Sequence, residues 1–185
     1  MEDQRIEGIS YAEGEIIQET FDYCTFVKCD FTKTQVALCL FNDCSFVDCN
    51  LSMTDFNQST LNNISFKNCK ILGVNFGKCH DFIFEVSFDN CVLDYSSFEK
   101  RKMPKTSFLR SSLKGTDFGL ADMKQCRFVE SDLAEAIFYN TNLQEADFST
   151  AYNYTIDPDE NNIKKARFSR EGLAGLLYKY NIIIE

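Results

Sequence analysis

The sequence has no tryptophan, a single histidine and two prolines, and it has no long run of apolar residues. A membrane-spanning helix needs about 20 mostly apolar residues in succession, which this chain does not provide. Its first ten residues, MEDQRIEGIS, are acidic and polar, unlike a secretory signal. The net charge of −9 argues against non-specific binding to nucleic acids or anionic membranes, because both require clustered positive charge.

Motifs of catalysis are missing as well. The sequence contains no P-loop, dinucleotide fingerprint, nucleophile elbow or visible pair of catalytic carboxylates. His80 is the only histidine, and a histidine without an orienting partner is a poor base. We therefore predict a protein that is not an enzyme and that holds no cofactor or metal.

A period of five residues is the strongest pattern that is present. In FDYCTFVKCDF (21–31), phenylalanines and cysteines each recur every five residues, a spacing of neither helices nor strands. Apolar residues hold 26 consecutive centres in two phases, separated by a slip of two residues at 79–83. The first phase is Phe21, Phe26, Phe31, Val36, Phe41, Phe46, Leu51, Phe56, Leu61, Phe66, Ile71 and Phe76; the second is Ile83, Phe88, Leu93, Phe98, Met103, Phe108, Leu113, Phe118, Met123, Phe128, Leu133, Phe138, Leu143 and Phe148.

Small residues, most of them cysteine, serine, threonine or alanine, lie two positions before most centres. A repeat of this kind predicts a solenoid in which two residues in five point inward. All nine cysteines fall on the inward register, Cys79 ambiguously. Because thiols five residues apart lie on different sides of a coil, they cannot form a tetrahedral zinc site. With no export signal, we expect reduced core thiols in a cytoplasmic protein.

The units CDFTK, TDFGL, SDLAE and TNLQE resemble the pentapeptide-repeat family over about residues 21–151. The resemblance implies an all-β solenoid, a right-handed quadrilateral β-helix with four pentapeptides per coil, covering residues 1–151. Residues 20 apart would then stack. From Phe88 to Phe148, phenylalanine alternates with leucine or methionine, which predicts phenylalanine stacks on two opposite sides and aliphatic stacks on the other two.

Two places break the regularity of the repeat. The slip at 79–83 predicts a bulge, kink or short loop. Arg101 occupies a small inward position, and because an unpaired buried arginine would be very costly, we expect the backbone to turn it outward. Pro104 removes one ladder donor, so a distorted corner is expected nearby.

The repeat ends near residue 151, and residues 152–185 are predicted to form a loop (152–162), a partial repeat, a helix over 169–180 and an extended tail. Ser169 is a suitable N-cap. Two readings of this segment remain open: a cap over the open end of the solenoid, or a cap that is also a symmetric dimer interface, which the resemblance favours. The apolar residues concerned are Leu173, Leu176, Leu177, Tyr180, Ile182 and Ile184.

Charge provides the only direct indication of function. Residues 129–163 contain eight acids and no base, and we predict a partner-binding acidic patch of Glu130, Asp132, Glu135, Glu145 and Asp147. Qnr-type members of the family are similar in size, acidity, early slip and C-terminal helix, although they carry projecting loops that this chain has no room for. The similarity implies a homodimeric DNA mimic that binds DNA gyrase or topoisomerase IV and protects it from quinolones or toxins.

The alternative is a scaffold for an unrelated protein partner, which would bind through the basic stretch of Lys100, Arg101, Lys102, Lys105 and Arg110. The surface potential distinguishes the two, because a continuous acidic stripe favours mimicry and a dominant basic band favours the scaffold.

Overall fold

The computed structural model describes residues 1–184, which form a parallel β-solenoid of about eight turns with one short C-terminal helix. Most strands are short because they span one side of a coil, whereas β8 and β9 continue through a corner onto the next side. The strands are β1 Arg5–Glu7, β2 Glu15–Ile17, β3 Thr20–Asp22, β4 Thr25–Val27, β5 Gln35–Ala37, β6 Leu40–Asn42, β7 Ser45–Val47, β8 Thr60–Lys67, β9 Phe84–Asp89, β10 Ser107–Leu109, β11 Arg127–Val129, β12 Asp147–Phe148 and β13 Arg167–Phe168. The predicted quadrilateral β-helix is confirmed.

Parallel pairing between residues 20 apart defines the four sides of the rod. Phe26 pairs with Phe46 and Phe108 with Phe128, whereas the offset is 22 across the slip, where Phe66 pairs with Phe88. The sides are named here by the inward residues at their centres. Side 1 carries Ile6, Phe26, Phe46, Phe66, Phe88, Phe108, Phe128, Phe148 and Phe168; side 2 carries Tyr11, Phe31, Leu51, Ile71, Leu93, Leu113 and Leu133; side 3 carries Ile16, Val36, Phe56, Phe76, Phe98, Phe118 and Phe138; side 4 carries Phe21, Phe41, Leu61, Phe84, Met103, Met123, Leu143 and Ile163.

Two columns of phenylalanine rings fill the bore from opposite sides, as predicted. On side 1 the Phe108 and Phe128 rings are parallel, with centroids 5.1 Å apart. Across the bore, Phe98 of side 3 meets Phe108 edge to face, with centroids 5.8 Å apart and an interplanar angle of 83°. Offset-stacked and edge-to-face pairs are the geometries that aromatic quadrupoles prefer, each contributing about 0.5–1.5 kcal/mol beyond burial.

The small inward position also has a polar role. Its hydroxyl or thiol donates a hydrogen bond to the carbonyl of the central residue one coil earlier, as when Thr54 bonds Phe31 O at 2.8 Å and Ser131 bonds Phe108 O at 3.2 Å. Cys69 donates to Phe46 O in the same way, at 3.3 Å. A buried carbonyl without a partner costs free energy, so the abundance of cysteine, serine and threonine at this position follows from both size and hydrogen bonding.

The slip differs in detail from the expectation. Phe84, not Ile83, is the buried centre on side 4, where it pairs with Leu61, and Ile83 is only partly buried. The insertion projects outward as a short loop in which Phe82 is 86% exposed. The prediction placed Ile83 in the core because counting in steps of five cannot detect a bulge. The bulge shifts the chain by one residue, so the larger Phe84 ring fills this core position.

The predicted outward orientation of Arg101 is wrong, because the side chain is buried and fully engaged. Its guanidinium donates to the carbonyls of Gly77, Cys79 and His80 at 3.2, 2.6 and 3.1 Å, and it forms an ion pair with Asp81 at 2.7 Å. Its Cζ lies 5.3 Å from the centroid of the Phe84 ring. The slip leaves carbonyls without ladder partners, and the five-donor guanidinium supplies them. Arg101 is therefore the residue that holds the loop in place.

The C-terminal segment closes the open end of the solenoid. A 3-10 turn at Glu171–Leu173, the α-helix Ala174–Leu177 and a 3-10 turn at Tyr178–Tyr180 form one helical stretch, of which only four residues are α-helical. Ser169 caps it as predicted, since Gly172 N donates to its Oγ at 3.0 Å. The region expected to be only a loop also contributes Tyr154 and Ile156 to the core. The last residue of the predicted tail, 185, lies outside the described residues.

Glycine allows the helical stretch to approach the buried Tyr154 closely. A Cβ on Gly175 would lie 2.1 Å from the backbone oxygen of Tyr154. Leu176, next to Gly175, packs against the core. The spacing of Gly172 and Gly175 in EGLAGLL thus determines which face of the helix covers the bore.

Replacing Phe108 by alanine should destabilise the fold by about 3–5 kcal/mol, because it removes one ring from a stack and leaves a cavity between two coils. Urea unfolding followed by circular dichroism measures the change. Tyr23→Ala is the matched control: Tyr23 is 60% exposed, and we expect a change within about 0.5 kcal/mol. Similar losses in the two variants would contradict the assignment of stability to the stacked rings.

Replacing Arg101 by methionine should cost at least about 3 kcal/mol, because several buried carbonyls lose their donors at about 1–3 kcal/mol each. Urea unfolding gives the total, and amide hydrogen exchange should show faster exchange concentrated in residues 76–84. Lys102→Met changes the exposed neighbour and should leave both unchanged. If the amide exchange rates of residues 76–84 stay the same in the Arg101 variant, the loop is stable without the hydrogen bonds from Arg101.

Candidate interaction surfaces

The five acids of the predicted patch do not lie on one surface. Asp132 and Glu135 belong to side 2, and Glu130 lies at the corner between sides 1 and 2. Glu130 and Glu135 are exposed. Asp132 is partly covered by Lys114, 3.3 Å away, and Asn153, 2.8 Å away. Partial burial acts to raise the pKa of Asp132, but hydrogen bonds from Asn153 and from Ala134 N, with the charge of Lys114, lower it overall.

Glu145 and Asp147 lie on a different part of the surface, at the corner between sides 4 and 1. Asp147 is paired in register with Arg127 on one side and Arg167 on the other. A hydrogen bond from Gln125, followed by the charges of Lys124 and Lys165, lowers the pKa of Glu145. These two carboxylates are therefore surrounded by bases, and they do not extend the acidic cluster around Glu130.

Other acids, distant in sequence, join the first cluster instead. The outward positions of sides 2 and 3 between residues 111 and 160 hold one base, Lys114. The acids there are Asp117, Asp132, Glu135, Asp157, Asp159 and Glu160. Together with Glu130 at the corner, these residues are called the C-terminal acidic surface. Periodicity could have located them, because residues on one side recur every 20 positions.

The predicted basic stretch is smaller on the surface than in the sequence. Arg101 is buried, Lys100 pairs with Glu99 at 2.7 Å and Arg110 pairs with Asp89. Lys102 and Lys105 are exposed and form no ion pair within residues 1–184. Both lie on side 4, next to Phe82 and Pro104.

The helical cap leaves apolar side chains uncovered. Of the six residues predicted for the cap or dimer, Leu176 packs on the core and the other five are exposed: Leu173, Leu177, Tyr180, Ile182 and Ile184. Tyr178 and Ile183 add to them. Lys179 ties the helical stretch to the preceding loop through ion pairs with Asp157, at 2.6 Å, and Asp159. The hydrogen bond from Lys179 lowers the pKa of Asp157.

The cysteines and the one histidine are the side chains with the most reactive groups. All nine cysteines are free and buried, and burial raises the pKa of Cys79 and of Cys126 to about 12. His80 Nδ1 accepts a hydrogen bond from Phe82 N at 3.3 Å in the slip loop. Among residues 1–184, no three His, Cys, Asp or Glu side chains are grouped to hold a metal ion. Nor does any helix there have the length and apolarity to cross a membrane.

Acid should loosen the cap. Because Lys179 holds the pKa of Asp157 below its ordinary 3.8, this contribution to docking is present above that value and is lost as the pH falls through the lowered one. The NMR resonances of Gly172 and Gly175 should therefore shift at acid pH. Lys179→Met should show the undocked resonances at neutral pH, whereas Lys164→Met should not. A cap that keeps the same resonances in the Lys179 variant would show that the apolar contacts alone hold it.

Comparison with known proteins agrees with this architecture. Two family models match, described as pentapeptide repeat region over residues 19–98 and pentapeptide repeats (8 copies) over residues 118–151. No curated protein matches the chain. Among solved structures, a trypsin-treated variant of QnrB1, described as a plasmid-mediated fluoroquinolone resistance protein, is 15% identical, with a TM-score of 0.61 over 98% of this chain and 99% of that one.

A second trypsin-treated QnrB1 variant is 16% identical, with a TM-score of 0.61 over 100% of this chain and 98% of the other. At this identity the likeness shows the fold. Neither matching family model describes an enzyme. The stacked five-residue units and the matches over residues 19–98 and 118–151 together show that the chain belongs to the pentapeptide-repeat family.

Proposed function

We propose that this protein is a noncatalytic, cytoplasmic bacterial protein that binds a type II topoisomerase, DNA gyrase or topoisomerase IV, in place of DNA and protects it from quinolones or toxins. The C-terminal acidic surface carries the proposal, because it presents Glu130, Glu135 and Glu160 to solvent, whereas Lys114 and Lys179 neutralise only other acids of the surface. A DNA-binding groove is positively charged and attracts such a surface over a distance of about a Debye length.

The rigidity of the rod supports the same proposal. Within residues 1–151 the coils follow one another without a projecting loop other than the slip, so the acids are held at fixed spacings along the rod. Coils repeat at about 4.8 Å, so about eight turns span roughly 38 Å. B-DNA of that length carries about 22 negative charges, against a net charge of −9 here. Mimicry is therefore local, confined to the C-terminal acidic surface.

The exposed apolar residues of the cap extend this proposal to a symmetric dimer. Leu173, Leu177 and Tyr180 are exposed on the helical stretch that Lys179 joins to Asp157 and Asp159 of the acidic surface. A contiguous exposed apolar patch commonly marks a protein interface. End-to-end pairing through the cap would place an acidic surface on each side of the two-fold axis and double the length of the mimic.

The alternative function, a scaffold for an unrelated protein, is favoured by a different observation. Lys102 and Lys105 are exposed without ion pairs in the part of the chain that the structure describes, beside the exposed Phe82. An acidic partner with an apolar pocket would complement this part of side 4. Such a protein would not affect a topoisomerase.

Charge reversal at Glu130 and Glu135 together should weaken the inhibition of gyrase supercoiling about tenfold, equivalent to about 1.4 kcal/mol, because like charges then face the enzyme. The assay titrates purified protein alone, and again with a fluoroquinolone or toxin to detect protection. Glu145→Lys is the matched control, since Glu145 lies among bases, and its effect should stay below about twofold.

Equal losses in the two variants would contradict the role of the C-terminal acidic surface. If the unchanged protein neither inhibits gyrase or topoisomerase IV nor protects them from the drug or toxin, the topoisomerase proposal is overturned. The scaffold function then remains as the alternative.

A further inference from the structure

Side 4 changes sign halfway along the rod. Its N-terminal half (1–3, 19–23, 39–43, 59–63 and 79–85) holds no base, and its acids are Glu2, Asp3, Glu19, Asp22, Asp43, Asp81 and Glu85. Its C-terminal half (101–105, 121–125, 141–145 and 161–165) holds the surface bases Lys102, Lys105, Lys124, Lys164 and Lys165 and the acids Asp122 and Glu145. Arg101 and its ion-pair partner Asp81 offset each other, so the remaining net charges of the two halves are −6 and +3.

The sign changes at the slip, which is also where side 4 has its most exposed apolar side chain. Phe82 projects there, 86% exposed, from the loop whose carbonyls accept hydrogen bonds from Arg101. A groove beside it is lined by Phe82 itself, Ile83 and Pro104 and by the polar side chains of Asn63, Glu85 and Lys105. The middle of this face therefore carries an exposed ring next to a groove of mixed apolar and polar lining.

We propose that two copies of this chain associate side by side and antiparallel through side 4. A two-fold axis that lies between the two faces and runs across the rods, between the coil of Phe84 and the coil of Met103, sets the acidic half of each copy against the basic half of the other. Such an interface is isologous, so every favourable contact occurs twice. Opposite charges at each end steer and fix this register.

The register also matches positions within the coils. At the centre, Asp81 and Glu85 face the coil that carries Lys102 and Lys105, and each Phe82 faces the groove beside Pro104 of the other copy. Toward the ends, Asp22 faces Lys164, and both residues directly follow the central residue of their pentapeptide. Asp43 and Glu145 are the like charges that meet, at an exposed corner where screening makes their repulsion small.

The area of the face is sufficient. Eight of the nine pentapeptides face a counterpart in this register, and at about 4.8 Å per coil and about 16 Å across they give roughly 600 Å² of flat surface. Stable complexes bury about 600–1,000 Å² per partner, so the whole of the facing surface has to take part. This interface does not use the cap, and it stands or falls independently of topoisomerase binding.

Zero-length cross-linking of carboxylates to lysines provides the direct test, with mass spectrometry to locate the linked residues. Asp22 and Lys164 lie about seven coils, or about 34 Å, apart within one chain, so a link between them must join two molecules. We expect this link in the dimer band at about 0.05 M salt and its loss at about 1 M, where the Debye length falls to about 3 Å. Absence of the link at low salt would overturn the antiparallel register.

Complementary variants give the second test, by sedimentation velocity. One variant makes side 4 basic (Asp22→Lys with Glu85→Lys), and the other makes it acidic (Lys102→Glu, Lys105→Glu and Lys164→Glu). For each variant alone, the association constant of the side-by-side dimer should fall at least tenfold, and an equimolar mixture of the two should restore it. Lys33→Glu with Lys70→Glu, on side 2, is the matched control and should associate as the unchanged protein does.

Failure of the mixture to associate, while both variants keep the circular dichroism of the unchanged protein, would also overturn the proposal. Binding to gyrase that persists in both variants would leave the proposed function intact, so the two proposals fail separately.

Discussion

The hydrogen-bonded ladder between coils at an offset of 20 residues is the constraint on which the rest of the structure depends. It fixes which side chains stack, and so it turns a one-dimensional period of five into two columns of phenylalanine and two largely aliphatic ones. It also fixes the left-handed corners, where bulky residues such as Leu38 and Leu120 have φ of 57° and 60°. That conformation costs about 1–2 kcal/mol for a residue that is not glycine, and the ladder on either side of each corner holds it.

The slip shows what happens when this constraint is interrupted. Around the two extra residues, the buried Arg101 donates charge-assisted hydrogen bonds to the carbonyls of Gly77, Cys79 and His80 in place of the ladder. Its ion-pair partner Asp81 is almost fully exposed, so water solvates half of the pair. Desolvation is consequently limited to one charge, and the guanidinium recovers that cost through its carbonyl contacts. The rest of the rod keeps its register on both sides of the defect.

The period revealed almost the whole core, because size and polarity at two positions in five are dictated by the bore. The failures at Ile83 and Arg101 share one cause. Both predictions considered each residue without the coil stacked against it. An arginine fits a small inward position here only because the insertion about 20 residues earlier supplies carbonyl oxygens that accept its hydrogen bonds. Such a compensation is visible only when the two coils are stacked. Tyr154 and Ile156 were missed similarly, since the last coil follows the shape of the opening and not the repeat.

The surface was harder to predict than the core, for a reason that lies in the same geometry. A block of about 30 residues winds one and a half times around the rod, so a run of acids in sequence is distributed over all four sides. Glu130 and Glu145 belong to one acidic block of sequence, yet one is exposed in an acidic surface and the other lies among bases. Three positions in five are free of the core, and each side can therefore carry its own charge pattern without cost to folding. Two surface patterns follow a period of 20 residues: the acidic surface on sides 2 and 3 and the change of sign along side 4. Because such patterns do not disturb the core, they can provide binding surfaces on a rod of this kind.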